Sequence, residues 1–135
     1  LTFSKNIMEY FENVPGLILA DPNVDGMLLY LLFSQRGMAQ VMAQMGVAPA
    51  EIEKQSEVIL TQMSQALARL PKHYGKPLIG FSYRSRSNLL IRGLQDAGVP
   101  VLPSPERAAR AMAALVHYRN MRNKLQRSAT ASPAL

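Results

Sequence analysis

The sequence predicts a three-layer α/β domain in which a short parallel sheet of about three strands is flanked by helices. Three observations predict it. Strand-like apolar runs alternate with helical patterns through short connections, which is the order that gives right-handed crossovers and parallel pairing. The first run, Val24 to Phe33, is almost continuously apolar, as expected of a strand buried on both faces. The stretch from Lys76 to Tyr118 then reads as strand, helix, strand, helix, and the rest of the chain is organised around it.

In order, Ser4 to Phe11 carries Ile7, Met8 and Phe11 at helical spacing, with Ser4 as the expected N-cap. Asn13-Val14-Pro15-Gly16 should interrupt that helix, because proline disfavours helical geometry in the residue before it, and a second short helix should run from Pro15 to Ala20. Asp21-Pro22-Asn23 turns the chain into the first strand. Ser34 to Gly37 is a polar turn at the strand's C-terminal end, followed by a short helix over the Met-rich stretch Met38 to Met45. Methionines at this spacing read as core filling. The next helix starts at Pro49, with Glu51 and Glu53 in its first turn and Arg69 and Lys72 at its end, matching the macrodipole. Its expected buried stripe is Ile52, Ile59, Met63, Leu67 and Leu70.

Pro71 to Gly75 turns the chain into a second strand, Lys76 to Ser82, and Tyr83 to Arg86 is the loop beyond it. Ser87 is the expected cap of a helix reaching Ala97, with Gly98 as its stop. Val99 to Leu102 is a third strand. Ser104-Pro105-Glu106 starts a helix running to about Arg122 and burying Ala108, Met112, Leu115 and Val116. Residues 1–125 then form one domain, and Gln126 to Leu135 reads as a frayed tail or interdomain linker. Three strands are fewer than the four to six usual for a complete sheet, so the domain is expected to be completed by a partner or to be the C-terminal half of a larger doubly wound domain.

Composition limits the function classes. The chain has 135 residues with 48% hydrophobic content and no cysteine, which removes disulfides, thiolate metal sites and a cysteine nucleophile and leans towards the cytoplasm. The longest apolar run, Met27 to Phe33, is too short to cross a bilayer, and a membrane partner is not expected. The first residue is Leu1 rather than methionine, as in a piece of a longer polypeptide. Charge is uneven: residues 1–83 hold six basic and seven acidic groups, net −1, whereas residues 84–135 hold nine basic and two acidic, net +7. Such a half attracts nucleotide phosphates, nucleic acid or an acidic surface, or is simply a solvated helix face and tail. Few aromatic residues stand near the arginines, so base-stacking platforms are poor and nucleic acid is the least expected partner.

Ligands of open parallel sheets bind outside the carboxyl ends of the strands. The loops there are Ser34 to Gly37, Tyr83 to Ser87 and Pro103 to Glu106. The middle one places Arg84, Ser85, Arg86 and Ser87 before a helix N-terminus, whose free N–H groups favour an anion, and Arg36 could join them. These five residues are the candidate phosphate-binding set, against the plain alternative of solvated arginines and a capping serine. No Walker loop or GxGxxG occurs. His73 and His117 lack acids at metal-ligand spacing and are expected near helix ends, while Asp21 and Asp25 lie at the wrong edge of the sheet for an active site and read as turn residues. No catalytic residue and no metal ligand is assigned.

Two stretches carry a resemblance. Ala20-Asp-Pro-Asn-Val-Asp-Gly-Met-Leu-Leu-Tyr-Leu-Leu-Phe33, and Lys76-Pro-Leu-Ile-Gly80 with Gly98-Val-Pro-Val-Leu-Pro-Ser-Pro-Glu-Arg-Ala-Ala109 and the helix to Tyr118, resemble the NDP-forming acyl-CoA synthetases, relatives of succinyl-CoA synthetase. The resemblance covers most of residues 17–120 and implies part of a flavodoxin-like ligase domain. It implies interconversion of acid, CoA and nucleoside triphosphate with acyl-CoA, NDP and phosphate, using CoA and ATP or GTP with Mg in the complete enzyme. CoA-binding and ATP-grasp domains or subunits would be its partners, and the sheet edge could support a homo-oligomer. This stretch has no Gly-rich CoA-binding unit, no ATP-grasp region and no histidine in the glycine-containing loop of the family's phosphohistidine, so it is expected to hold no cofactor and to be inactive alone. The alternative is a stand-alone flavodoxin-like module that binds a phosphate-bearing ligand or a partner protein.

Overall fold

In a computed structural model of the chain, residues 3–131 are described, with side chains from Tyr10 onward. The elements are α1 (Phe3–Ala20), β1 (Met27–Tyr30), α2 (Gln35–Gln44), α3 (Pro49–Tyr74), β2 (Leu78–Phe81), α4 (Leu89–Asp96), β3 (Val101–Leu102) and α5 (Pro105–Ala131). The three strands form one parallel sheet in the order β1-β2-β3, in which Met27 pairs with Leu78 and Gly80 with Val101. This is the predicted class, a mixed α/β fold with a short open sheet flanked by helices.

Register sorts the strand residues onto two faces. Met27, Leu29 and Leu31 share a face with Leu78, Gly80 and Ser82, and there they meet Leu60, Met63, Leu67 and Leu70 of α3, Leu19 of α1 and Leu90 and Leu94 of α4 in the main core. Gly80 is required on this face, because a Cβ there would stand 3.0 Å from Leu31 Cδ1 and 3.1 Å from Val101 Cγ2. The opposite face carries Leu28, Tyr30, Ile79 and Phe81. Among the described elements α5 is the one that covers it, running across all three strands, and the cover is partial. Ile79 is buried, whereas Leu28, Tyr30 and Leu32 are exposed. The expected two-sided burial of β1 is therefore corrected. An unbroken apolar run hides the period-2 alternation that the structure imposes, and a single helix cannot roof three strands.

Several boundaries also differ from expectation. The helix predicted to break at Asn13–Gly16 continues through Pro15. Pro15 and Gly16 are both buried, and a Cβ on Gly16 would stand 3.2 Å from Tyr74 Oη, so close packing of α1 on α3 offsets the one hydrogen bond that proline removes. Helix α1 starts at Phe3, ahead of the predicted cap Ser4, and the side chains of Ser4, Ile7 and Met8 lie outside the described residues. In α3 the stripe includes Ser56, Leu60 and Ser64, with Ile52 and Ile59 only half-buried, and the helix passes Pro71 to end on Gly75 at φ 64°. Ser56 is accommodated because its hydroxyl donates to the Ile52 carbonyl at 2.6 Å. Helix α5 extends to Ala131 instead of stopping near Arg122, so the expected frayed segment is helical as far as it is described. Of its predicted buried set only Ala108 is fully buried and Met112 is half-buried; Val116 faces the sheet but stays exposed because the cover is partial, and Leu115 is exposed because it lies on a different side of the helix.

The residues of the quoted resemblance meet in space. Lys76 Nζ donates to the carbonyls of Leu19 and Asp21, both at 2.7 Å, and so places a cation at the C-terminal end of α1. Asp21 Oδ1 accepts from Asn23 N at 2.8 Å, closing the turn into β1, and Met27 N donates to the Pro77 carbonyl at 2.9 Å. Asp21 is thus a turn residue, as expected. Lys76→Met should cost about 1–2 kcal/mol, the range of charge-assisted hydrogen bonds allowing for partial exposure, and a urea melt of the variant checks it.

At the start of α5, Ser104 Oγ accepts from Arg107 N at 3.3 Å. The hydrogen bond to the Ser104 side chain holds the Glu106 carboxyl below its ordinary range, helped by the residue's own backbone N–H and by Arg110. A folded-state pKa below the unfolded one gives stabilisation that is present above the ordinary carboxylate range and is lost as pH falls through the lowered value. Glu106→Gln should therefore reduce the acid-dependent loss of melting temperature between about pH 6 and about pH 3, and a pH series of thermal melts reads the difference.

Candidate functional site

The carboxyl ends of β1 and β2 open into a cleft of about 680 Å³ lined by Ser34, Gln35, Arg36, Ile52, Glu53, Arg84, Ser85, Ser87 and Asn88 among others. Three chain segments build it. Ser34, at the end of β1, caps α2 by accepting from Gly37 N at 3.0 Å, which fixes Arg36 in the first turn of α2. The buried Ser82, at the end of β2, donates to the Leu31 carbonyl at 3.0 Å and accepts from Arg84 N at 3.3 Å. One hydroxyl thus ties the two strand ends together and sets the departure of the arginine loop. The third wall is the first turn of α3, with Pro49, Ile52 and Glu53.

Asn88 is the N-cap of α4, which corrects the assignment to Ser87. Its Oδ1 accepts from Leu90 N at 3.0 Å and Ile91 N at 3.4 Å, while its Nδ2 donates to the Phe33 carbonyl at 2.9 Å. Asparagine suits the position because its amide oxygen caps the helix while its separate amide nitrogen donates to the chain just beyond β1. Ser87 instead closes a local turn, donating from N and Oγ to Ser85 Oγ at 3.3 and 3.1 Å.

Of the five predicted residues, Arg36, Arg84, Ser85 and Ser87 share this cleft, and Arg86 does not. Arg86 lines a separate shallow depression with Gln95, Gly98, Val99 and Pro100. Arg36 and Arg84 come from loops that are far apart in sequence, and the parallel pairing of β1 with β2 brings them together. Glu53 faces the same space, so the cleft carries two cations and one anion. Sequence reading missed Asn88 and Ser82. The signal for Asn88 was its place immediately before Leu89, Leu90 and Ile91, and that for Ser82 was only its position at a strand end.

Chemically, guanidinium groups, serine hydroxyls and the N-terminal turns of α2 and α4 suit an oxyanion such as phosphate. Among the described residues no three His, Asp or Glu side chains converge as metal ligands. His73 lies at the end of α3, as expected, its ring 4.7 Å from that of Tyr74, whereas His117 lies in the middle of α5 and not near its end, lining the groove with Leu28 and Val116; both are away from the cleft. No described helix is long and apolar enough to cross a membrane. Comparison with protein-family models, with curated proteins and with solved structures finds no match to this chain.

Proposed function

We propose that this chain is the closing half of a flavodoxin-like ligase domain of an NDP-forming acyl-CoA synthetase, serving the conversion of acid, CoA and nucleoside triphosphate to acyl-CoA, NDP and phosphate. The observation that carries the reading is the incomplete cover of β1. In a doubly wound sheet of order 2-1-3-4-5 the last three strands lie side by side, and the first strand lies beside the third. Strands β1, β2 and β3 have the arrangement of those last three, with α3 and α4 on one face and α5 on the other. The face left bare at Leu28, Tyr30 and Leu32 is where the first strand and its helix would pack. The quoted Asp-Pro and Lys-Pro stretches join through Lys76, so the resemblance rests on residues that build this half and supplies no catalytic side chain.

An assay of acyl-CoA formation from short carboxylic acids, CoA and ATP or GTP with Mg tests the reading. The polypeptide encoded by the whole gene should form the thioester, and residues 1–135 alone should not. Turnover by the isolated chain would refute its being one part of a larger domain, and acid-independent nucleotide hydrolysis by the whole polypeptide would refute the ligase.

The cleft favours a second reading, a module that holds a phosphate-bearing ligand. Calorimetric titration of the isolated chain with phosphate, ATP and CoA should then show saturable binding that weakens about tenfold or more in Arg36→Ala and Arg84→Ala, the loss expected for a removed charge-assisted contact. Arg86→Ala should leave it unchanged, since Arg86 lines a different depression.

A further inference from the structure

The end of α5 leaves the domain at the edge opposite the cleft. The helix runs back over the sheet to Asp25, at the entry to β1, where Arg119 approaches the carboxylate at 3.9 Å in the one ion pair among the described residues. Every residue from Ala113 to Ala131 is exposed, and beyond Asn120 none lines the groove that α5 forms with Leu28. About 16 Å of helix therefore stands clear of the sheet.

The exposed side of α5, from Leu115 over the sheet edge into this projecting segment, is not uniformly polar. Leu115, Tyr118, Met121 and Leu125 recur at steps of three, three and four residues, so they form a narrow stripe along one side. On a helical wheel that stripe is rotated by roughly a third of a turn from Ala108, Met112 and Val116, which face the sheet. Completing the sheet beside β1 would not cover it. Between Arg107 and Ala131 there are six basic residues and no acidic one, so the segment has no i, i+4 acid–base pairs to support it, and Arg119 and Arg122 face each other as like charges. A second copy laid along the stripe would repeat that repulsion.

We infer that the projecting end of α5 docks an acidic amphipathic helix of a partner protein or domain. The three-and-four spacing specifies a helix as the occupant, since it is the seam of a two-helix coil, and the unbalanced cationic flanks specify Glu or Asp beside the partner's apolar positions. The inference does not depend on the ligase reading.

The test uses the 135-residue chain and two synthetic helices of roughly four heptads, both with Leu at the seam positions, one flanked by Glu and the other by Lys. Fluorescence anisotropy should show the Glu peptide binding at low salt at least about tenfold more tightly than the Lys peptide, with the preference falling near 1 M salt, where screening shortens to about 3 Å. Met121→Asp and Leu125→Asp should each weaken binding about tenfold without changing the melting temperature, because both side chains are already exposed. Arg122→Glu with Lys124→Glu, the two cations that flank the stripe, should invert the preference, and Val58→Asp, on the outer side of α3, should change nothing. Equal binding of the two peptides, binding of neither, or an equal loss in Val58→Asp overturns the inference. So does a dimer abolished by Met121→Asp in light scattering, or binding to phosphatidylserine vesicles in place of the Glu peptide.

Discussion

Gly93→Val should cost about 3 kcal/mol of folding stability, the upper range for overpacking a tight contact, and lower the melting temperature by on the order of 10 °C. Gly93 lies in the middle of α4, where helix propensity alone would favour almost any other residue. It is there because α4 approaches α3 so closely that a Cβ would stand 2.5 Å from Ser64 Oγ and 2.9 Å from Ser64 Cβ. The first clash could be relieved by rotating the hydroxyl, which donates to the Thr61 carbonyl at 2.8 Å, but the second involves an atom fixed to the α3 backbone. A branched side chain must therefore push the helices apart and loosen Leu90 and Leu94 from Leu60 and Leu67, all fully buried. Replacing Ser64 by Gly removes both obstructing atoms. Ser64→Gly combined with Gly93→Ala should thus be more stable than the sum of the two single changes, and a double-mutant cycle from urea melts measures the coupling.

Asn88→Ala is expected to cost about 2 kcal/mol, combining a lost helix cap with a Phe33 carbonyl left without its donor. The same change should disorder the cleft, since Asn88 pins the start of α4 to the chain just beyond β1, and the loop carrying Arg84 runs from β2 into that helix start. Asn88→Asp separates the two effects. The carboxylate keeps the cap and suits the positive end of α4, but it cannot donate to Phe33. It should recover roughly half of the loss, and calorimetry of the three proteins shows whether it does.

The elements of the fold were legible wherever the cause is local. Ser104-Pro105-Glu106 starts α5, Gly75 and Gly98 take positive φ after α3 and α4, and Pro49 opens α3, each for a reason contained within a few residues. What escaped the sequence depends on neighbours. Pro15 reads as a breaker until Tyr74 and Leu70 are placed against Gly16. Val24 to Phe33 reads as buried on both faces, because Leu and Tyr give the same signal whether or not something covers them, and the exposure of Leu28, Tyr30 and Leu32 follows from the partial cover that α5 gives that face.

The same division holds for the cleft. Its two arginine loops can be placed at the ligand edge of a parallel sheet from the strand order alone, which is why the meeting of Arg36 and Arg84 in one cleft is legible in the sequence. Arg86 falls outside the cleft because neighbouring loop residues point to different sides, which sequence order does not reveal, and both Ser87 and Asn88 are capping residue types, so only the weak signal of Asn88 standing directly before Leu89 separates them. The donation from Asn88 to Phe33 spans 55 positions, beyond the reach of any local pattern.

If β1 is an interior strand of a larger sheet, as proposed, amide hydrogen exchange along its free edge reports it. The amides of Met27 and Leu31 donate to β2, at 2.9 Å each, so by the alternation of a parallel ladder those of Leu28 and Tyr30 point from the free edge. In residues 1–135 alone, Leu28 and Tyr30 should exchange much faster than Ile79 in the sheet centre. In the polypeptide encoded by the whole gene, both should become about as protected as Ile79, because an added strand accepts their hydrogen bonds. Fast exchange at Leu28 and Tyr30 in both proteins would contradict the claim and leave β1 a true edge.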